Sequence, residues 1–266
     1  MKVFISADIE GVTGITSWEE ARKSNAGYSP FQRQMTAEVA AACEGAQAAG
    51  ATGILVKDAH AGANNLTAAD LPRGVRLIRG WSGHPYGMVQ GLEDDFDAAL
   101  FVGYHARAGA GGNPLAHTMS SIKVAEIRLN GEPASEYRIH VLAAALSGVP
   151  VVFVSGDRTL CEEVAAFNPA TVTFATKWGE GPSQESVHPA DAVDAIRDGA
   201  HRALSGDRAR ARIEPPGYTR LEVTYKSHTF AYAASQYPGA KQVDPHTVCI
   251  EHESYFEILR ALMFVV

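Results

Sequence analysis

Cysteine is scarce in this chain: Cys43, Cys161 and Cys249 are the only three among 266 residues, each in an apolar stretch and none in a C-x-x-C spacing. That excludes a disulfide framework and a thiolate metal cage. The thiols are expected to be buried and reduced, and any metal must be held by oxygen and nitrogen. Basic residues are also outnumbered, 23 Lys and Arg against 30 Asp and Glu, for a formal charge of -7. A nucleic-acid partner needs a basic face that releases counterions, so neither DNA nor RNA is expected. Nothing in the N-terminal segment reads as a secretory signal or a membrane anchor, because its short apolar run is broken by Asp8. The expected location is cytoplasmic, with no membrane partner. Internal repeats, low-complexity tracts and long flexible linkers are missing too, which points to lobes sharing one body.

What is present is apolar content for a real core, 46% of residues. Strand and helix patterns alternate: "KVFISA", a helix from about Pro30 to Ala49, "TGILVKDAH", "VRLIRG", a short helix near "YGMVQGL" and "FDAALFVGYHA". They continue through "IKVAEIRLN", a helix from about Ala134 to Leu146, "VPVVFVSGD", "RTLCEEVAAF", "ATVTFAT" and "PADAVDAIRDGAHRAL". A last segment holds "TRLEVTY", a helix near "TFAYAASQYPG" and the terminal helix "YFEILRALMFVV". Strand-helix-strand repetition predicts an α/β fold, a three-layer αβα arrangement with a largely parallel or mixed central sheet and a smaller C-terminal lobe. The expected division is a catalytic, metal-binding lobe over residues 1–205 and a smaller lobe over 206–266 packed on the same body.

Three of these strands end in potential ligands. Asp8 and Glu10 close the first, Asp58 and His60 the second, and His105 the apolar "GYHA" strand. In parallel sheets ligands collect outside the carboxyl ends of strands, so the repetition marks a site. Asp8 and Glu10 share a face at i and i+2, and two adjacent carboxylates repel unless a cation binds both. Gly11 and Gly14 allow close backbone approach there. A solvated turn is the bland alternative for an isolated D-x-E. Oxygen and nitrogen ligands fit Zn, Mn, Co or Ni, and an excess of carboxylates suits two metals sharing a bridging acid. Asp58 is placed either to orient a ligand imidazole or to cap a turn. The remaining histidines outside these motifs, His140 among them, read as core or surface.

Taken in order, "ADIEG", "KDAH", "GYHA", "AHTM" and "GEPASEY" make the chain resemble the zinc-dependent D-aminopeptidases, a family of self-compartmentalising ring assemblies. The resemblance spans most of the chain and is strongest from Met1 to about Gly156. It implies two Zn2+ per chain, with Asp8 bridging, Glu10 and His105 completing one site, and His60 and Glu136 the other. Glu126 and Glu132 are nearby alternatives to Glu136. It also implies that His117 is the catalytic histidine and not a ligand, that short peptides carrying an N-terminal D-amino acid, D-alanine above all, are the substrate, and that the assembly is a ring homodecamer. In the mechanism that follows, a metal-activated hydroxide attacks the scissile carbonyl while His117 moves protons. Two rival classes use the same residues: another metal-dependent hydrolase, amidase or phosphoesterase, and a non-catalytic peptide-binding protein. Only Arg107 and Lys123 supply positive charge near the ligand motifs, which counts against phosphate.

Overall fold

The computed structural model describes residues 1–93 and 95–266. In chain order its elements are β1 (Lys2–Ala7), α1 (Trp18–Ala21), α2 (Tyr28–Ala48), β2 (Gly53–Asp58), β3 (Val75–Ile78), β4 (Ala98–Tyr104) and β5 (Val124–Leu129). Then come β6 (Glu132–Pro133), α3 (Glu136–Leu146), β7 (Val151–Asp157), α4 (Arg158–Phe167), β8 (Val172–Glu180), β9 (Ser183–Ser186) and α5 (Pro189–Ser205). The chain ends with β10 (Thr219–Tyr225), α6 (His228–Ala234), β11 (Lys241–Gln242), β12 (Thr247–His252) and α7 (Tyr255–Val265).

Seven strands form one sheet in the order β3-β2-β1-β4-β7-β8-β9. Every pair is parallel except β8 with β9, which closes as a hairpin. The strands are apolar along their length because both faces are covered. Val3, Ile5, Val56 and Val102 pack under α2 and α5 on one side. Phe4, Phe101 and Tyr104 pack on the other, against Tyr137 of α3. The chain moves outward from β1 to β2 and β3, then returns to β4 on the opposite flank of β1. The order therefore reverses between β1 and β4, the point where the carboxyl ends of parallel strands open a crevice.

A second, antiparallel sheet runs β11-β12-β10-β5-β6. Its strands alternate as half-buried strands do: Leu221, Val223 and Tyr225 of β10 face the core while Arg220, Glu222 and Thr224 lie less buried. Tyr225 donates its hydroxyl to the Val265 carbonyl at 2.6 Å, and Tyr255 of α7 donates to Ile139 of α3 at 2.9 Å. The first bond fastens α7 to β10 within the last segment, and the second ties α7 to α3. Residues 206–266 do not complete their sheet alone, because β10 pairs with β5 along Leu221–Leu129 to Tyr225–Val124. A line drawn at residue 205 divides the chain but not the packing.

Some local expectations change. The short helix near Tyr86–Leu92 is a single 3-10 turn, Gly87–Val89. Strands β6, β9, β11 and β12 are not among the expected elements, and "ATVTFAT" continues through Lys177 to Glu180. All three cysteines are buried and free. Among the described residues, no helix is long and apolar enough to cross a membrane.

Candidate metal centre

The site begins with two glycines. Asp8 N–H donates to the Val102 carbonyl at 2.9 Å and Gly11 N–H to that of Gly103 at 2.8 Å, so the turn after β1 lies flat on β4. A Cβ on Gly11 would stand 1.7 Å from the Tyr104 carbonyl oxygen, and one on Gly103 2.2 Å from that of Asp8. Only glycine permits this approach. It brings Asp8 and Glu10, both 2% exposed, beside His105 at the end of β4.

The side chains then meet in two groups. His60 Nδ1 lies 3.0 Å from Glu10 Oε2 and 3.3 Å from Asp8 Oδ1. His105 Nε2 lies 3.4 Å from Asp8 Oδ2 and 3.5 Å from Glu136 Oε2, and His117 Nε2 lies 3.6 Å from Glu136 Oε1. Within each triad, Asp8/Glu10/His60 and His105/His117/Glu136, the ligand atoms fall within 4.8 Å of one another. Asp8 turns one oxygen to each group. All six residues expected from the sequence are brought together, but the neighbours differ from the expected partition: His60 stands with Glu10, and His105 with Glu136.

Hydrogen bonds orient the imidazoles. His60 Nε2 faces the Ala21 carbonyl at 2.8 Å, His105 Nδ1 that of Ala106 at 2.9 Å, and His117 Nδ1 that of Leu115 at 2.9 Å. A carbonyl can only accept, so each of these nitrogens carries a proton and the other nitrogen faces the acids. In the neutral ring that second nitrogen is a lone pair pointed at carboxylates. Glu10 Oε2 and His105 Nε2 are buried with no hydrogen-bond partner. Buried orphans of this kind, set among oxygen and nitrogen donors without thiolate, fit divalent cations such as zinc.

The protons report the same charge imbalance. Burial pulls the His105 pKa down, but the Glu136, Glu10 and Asp8 carboxylates outweigh it and hold the pKa at about 10. His60 is likewise pushed well up, Glu10 and Asp8 overcoming its burial. Burial would raise Glu136, yet His105 and His117 bring it to about 2. Asp8 is raised by burial and by the Glu10 charge. His117 is lowered by burial and by His105, whose ring stacks on it at 4.3 Å.

A family model for the peptidase M55 D-aminopeptidases matches residues 1–264. This chain belongs to that family. A D-aminopeptidase from Bacillus subtilis (strain 168) is 29% identical over 265 residues, 99% of this chain and 96% of the relative. The solved structure of the Zn-dependent D-aminopeptidase DppA from Bacillus subtilis, described as a self-compartmentalizing protease, superposes with a TM-score of 0.93. That match is 28% identical and covers 100% of this chain and 96% of the other.

In this M55 chain Asp8, Glu10, His60, His117 and Glu136 line a cavity of about 250 Å³ together with Trp18, Arg22, Trp81, Met88 and Met119. Ala61 and Met119, both on the lining, hold positive φ of 46° and 62°. Such strain in residues with a Cβ is kept where surrounding contacts impose it. At Met119 the contact is visible, its N–H donating to Glu136 Oε1 at 2.7 Å. Glu136 opens α3, whose Ser135 cap accepts from Arg138 N–H at 3.1 Å.

Several supporting residues escaped the sequence reading. Lys177, buried in β8, donates to the carbonyls of Glu10 at 2.5 Å and Ile15 at 2.7 Å. Asn113 bridges the Glu10 carbonyl at 3.1 Å and Asp157 Oδ2 at 2.9 Å. Glu38 of α2 accepts from Thr13 N–H at 3.0 Å. A charged residue inside an apolar strand, as in "FATKWGE", was the available signal for Lys177. Asp58 does not orient His60. It accepts from Asn65 and Leu66 backbone N–H and from the Asn65 amide, bracing the loop that carries His60. Arg107 and Lys123 are absent from the lining, their side chains donating to Ala108 and Val266 carbonyls.

Proposed function

We propose that this chain is a dinuclear zinc aminopeptidase releasing an N-terminal D-amino acid, D-alanine foremost, from short peptides. The observation that carries the reading is Asp8, whose two oxygens face separate triads in a chain of the D-aminopeptidase family. Asp8, Glu10 and His60 would hold one ion, and Asp8, His105 and Glu136 the other. Bound there, two zinc ions would supply Lewis acidity to the scissile carbonyl and to the attacking water.

The chain's own residues do the rest. The Ala21 and Ala106 carbonyls fix the tautomers of His60 and His105, so each presents a lone pair without reorganising. His117 is anchored through Nδ1 to Leu115 and keeps Nε2 toward the cavity. Its lowered pKa leaves it neutral near pH 7, ready to accept a proton from the attacking water at Nε2 and return it to the leaving amine. Trp18 meets the His117 ring edge-on at 5.3 Å and limits its swing. A ring homodecamer and a cytoplasmic setting belong to the same proposal. The described similarity to a self-compartmentalizing protease supports the first, and three free buried thiols suit a reducing compartment.

The test is to supply zinc-loaded protein with D-Ala-D-Ala, L-Ala-L-Ala and an aryl phosphate side by side. Cleavage of the D-dipeptide well above the L-dipeptide supports the reading. Cleavage of the phosphate alone overturns it.

A further inference from the structure

The cavity is acidic at its floor, yet one strong cation stands in its wall. Arg22 is the single Lys or Arg among the lining residues. It follows α1 as the C-cap, and its backbone N–H donates to the Trp18 carbonyl at 3.1 Å, which fixes where the side chain starts. The guanidinium carbon lies 5.0 Å from the Trp18 ring centroid, held by cation-π attraction. Among the described residues it makes no ion pair with a carboxylate, and its side chain donates no hydrogen bond. Its basic neighbours are committed elsewhere: Lys23 donates to Asn64 at 3.2 Å and Arg79 to the Asn64 carbonyl at 3.3 Å. Neither lines the cavity.

We infer that Arg22 receives the C-terminal carboxylate of a short peptide, making the substrate class free-acid di- and tripeptides rather than amides or internal segments of longer chains. The inference rests on the aminopeptidase reading above. A guanidinium with its fork unspent matches a carboxylate in two parallel hydrogen bonds. Distance agrees. Arg22 and His117 both lie against the Trp18 ring, 5.0 Å and 5.3 Å from its centroid, so they stand within reach of one short peptide. An extended residue covers roughly 3.3–3.6 Å, so the one or two residues beyond the scissile bond bring a terminal carboxylate to the guanidinium. Charge agrees as well, since with the acids committed to the metals Arg22 is the one Lys or Arg on the lining that offers a carboxylate a partner. The peptide is thereby oriented with its amino end at the triads.

The test compares D-Ala-D-Ala with its C-terminal amide, using zinc-loaded wild type, Arg22→Gln and Arg22→Lys. Arg22 is exposed, so the substitutions leave the core intact, which zinc content and circular dichroism will check. Wild type should prefer the acid. In Arg22→Gln, kcat/KM for the acid should fall roughly 10- to 100-fold, carried by KM, and the acid-over-amide ratio should collapse toward one. Arg22→Lys should recover part of that ratio. An equal fall on both substrates, or an unchanged ratio, overturns the inference and leaves the aminopeptidase reading standing. Failure of wild type to cleave either compound overturns both.

Discussion

His117 stands between two roles because its Nε2 is 3.6 Å from Glu136 while its ring is partly exposed to the cavity. In the proposed reaction it carries the proton. His117→Ala is therefore expected to keep both ions and the fold while turnover drops by roughly 10²–10⁴, the usual cost of removing a general acid or base. Elemental analysis of that variant separates the roles, since a metal-depleted protein would make His117 a ligand. A second residue-scale prediction concerns Glu38, which is fully buried with Oε2 unpartnered and whose pKa burial raises from 4.5 to about 7. The folded state holds this proton over a range where the unfolded chain has released it. Stability from this group is thus highest below about pH 4.5 and declines as pH rises to about 7. Glu38→Gln should remove that decline, so chemical denaturation at pH 8 should find it more stable than wild type by up to about 3 kcal/mol, with little difference at pH 4.

At the scale of elements, the turn after β1 is the part on which the site depends. Gly11 packs its backbone against β4, and Lys177 of β8 clamps the same turn through the Glu10 and Ile15 carbonyls. Lys177→Met strands two buried acceptors and should cost about 2–4 kcal/mol of stability, while weakening zinc retention at Glu10, both measurable by denaturation and dialysis. Gly11→Ala should be worse, because the added methyl meets backbone and not a flexible side chain. The strand-end residues of the candidate site were legible because apolar runs stop at polar residues: Asp8 after "VFISA", His60 after "ILVKDA", His105 after "LFVGY". Their grouping was not, since spacing along one strand says nothing about which oxygen of Asp8 faces which neighbour. Lys177 was hidden because a long cation in a strand reads as an exposed edge. β12 was missed because "TVCIEH" is a short run between a turn and a helix start, and its pairing with β10 is visible only in space.

Across the whole molecule, the reversal of strand order between β1 and β4 explains why one candidate site gathers residues from the ends of β1, β2 and β4 and the start of α3. The antiparallel sheet and α7 brace α3, and with it Glu136, through the Tyr255 and Tyr225 hydroxyl bonds. The chain also shows apolar surface at Met263 and Phe264 of α7 and at Tyr232 of α6. If copies assemble into the proposed ring, light scattering at working concentration should return a mass of about ten chains, and a clean monomer would refute the assembly. The central claim is that Asp8 is shared by two ions. Zinc per chain, measured by elemental analysis after reconstitution and exhaustive dialysis, tests it most directly in wild type and Asp8→Ala side by side. About two ions are expected in wild type and loss of both together in the variant. One ion in wild type, or one ion retained by Asp8→Ala, would contradict it.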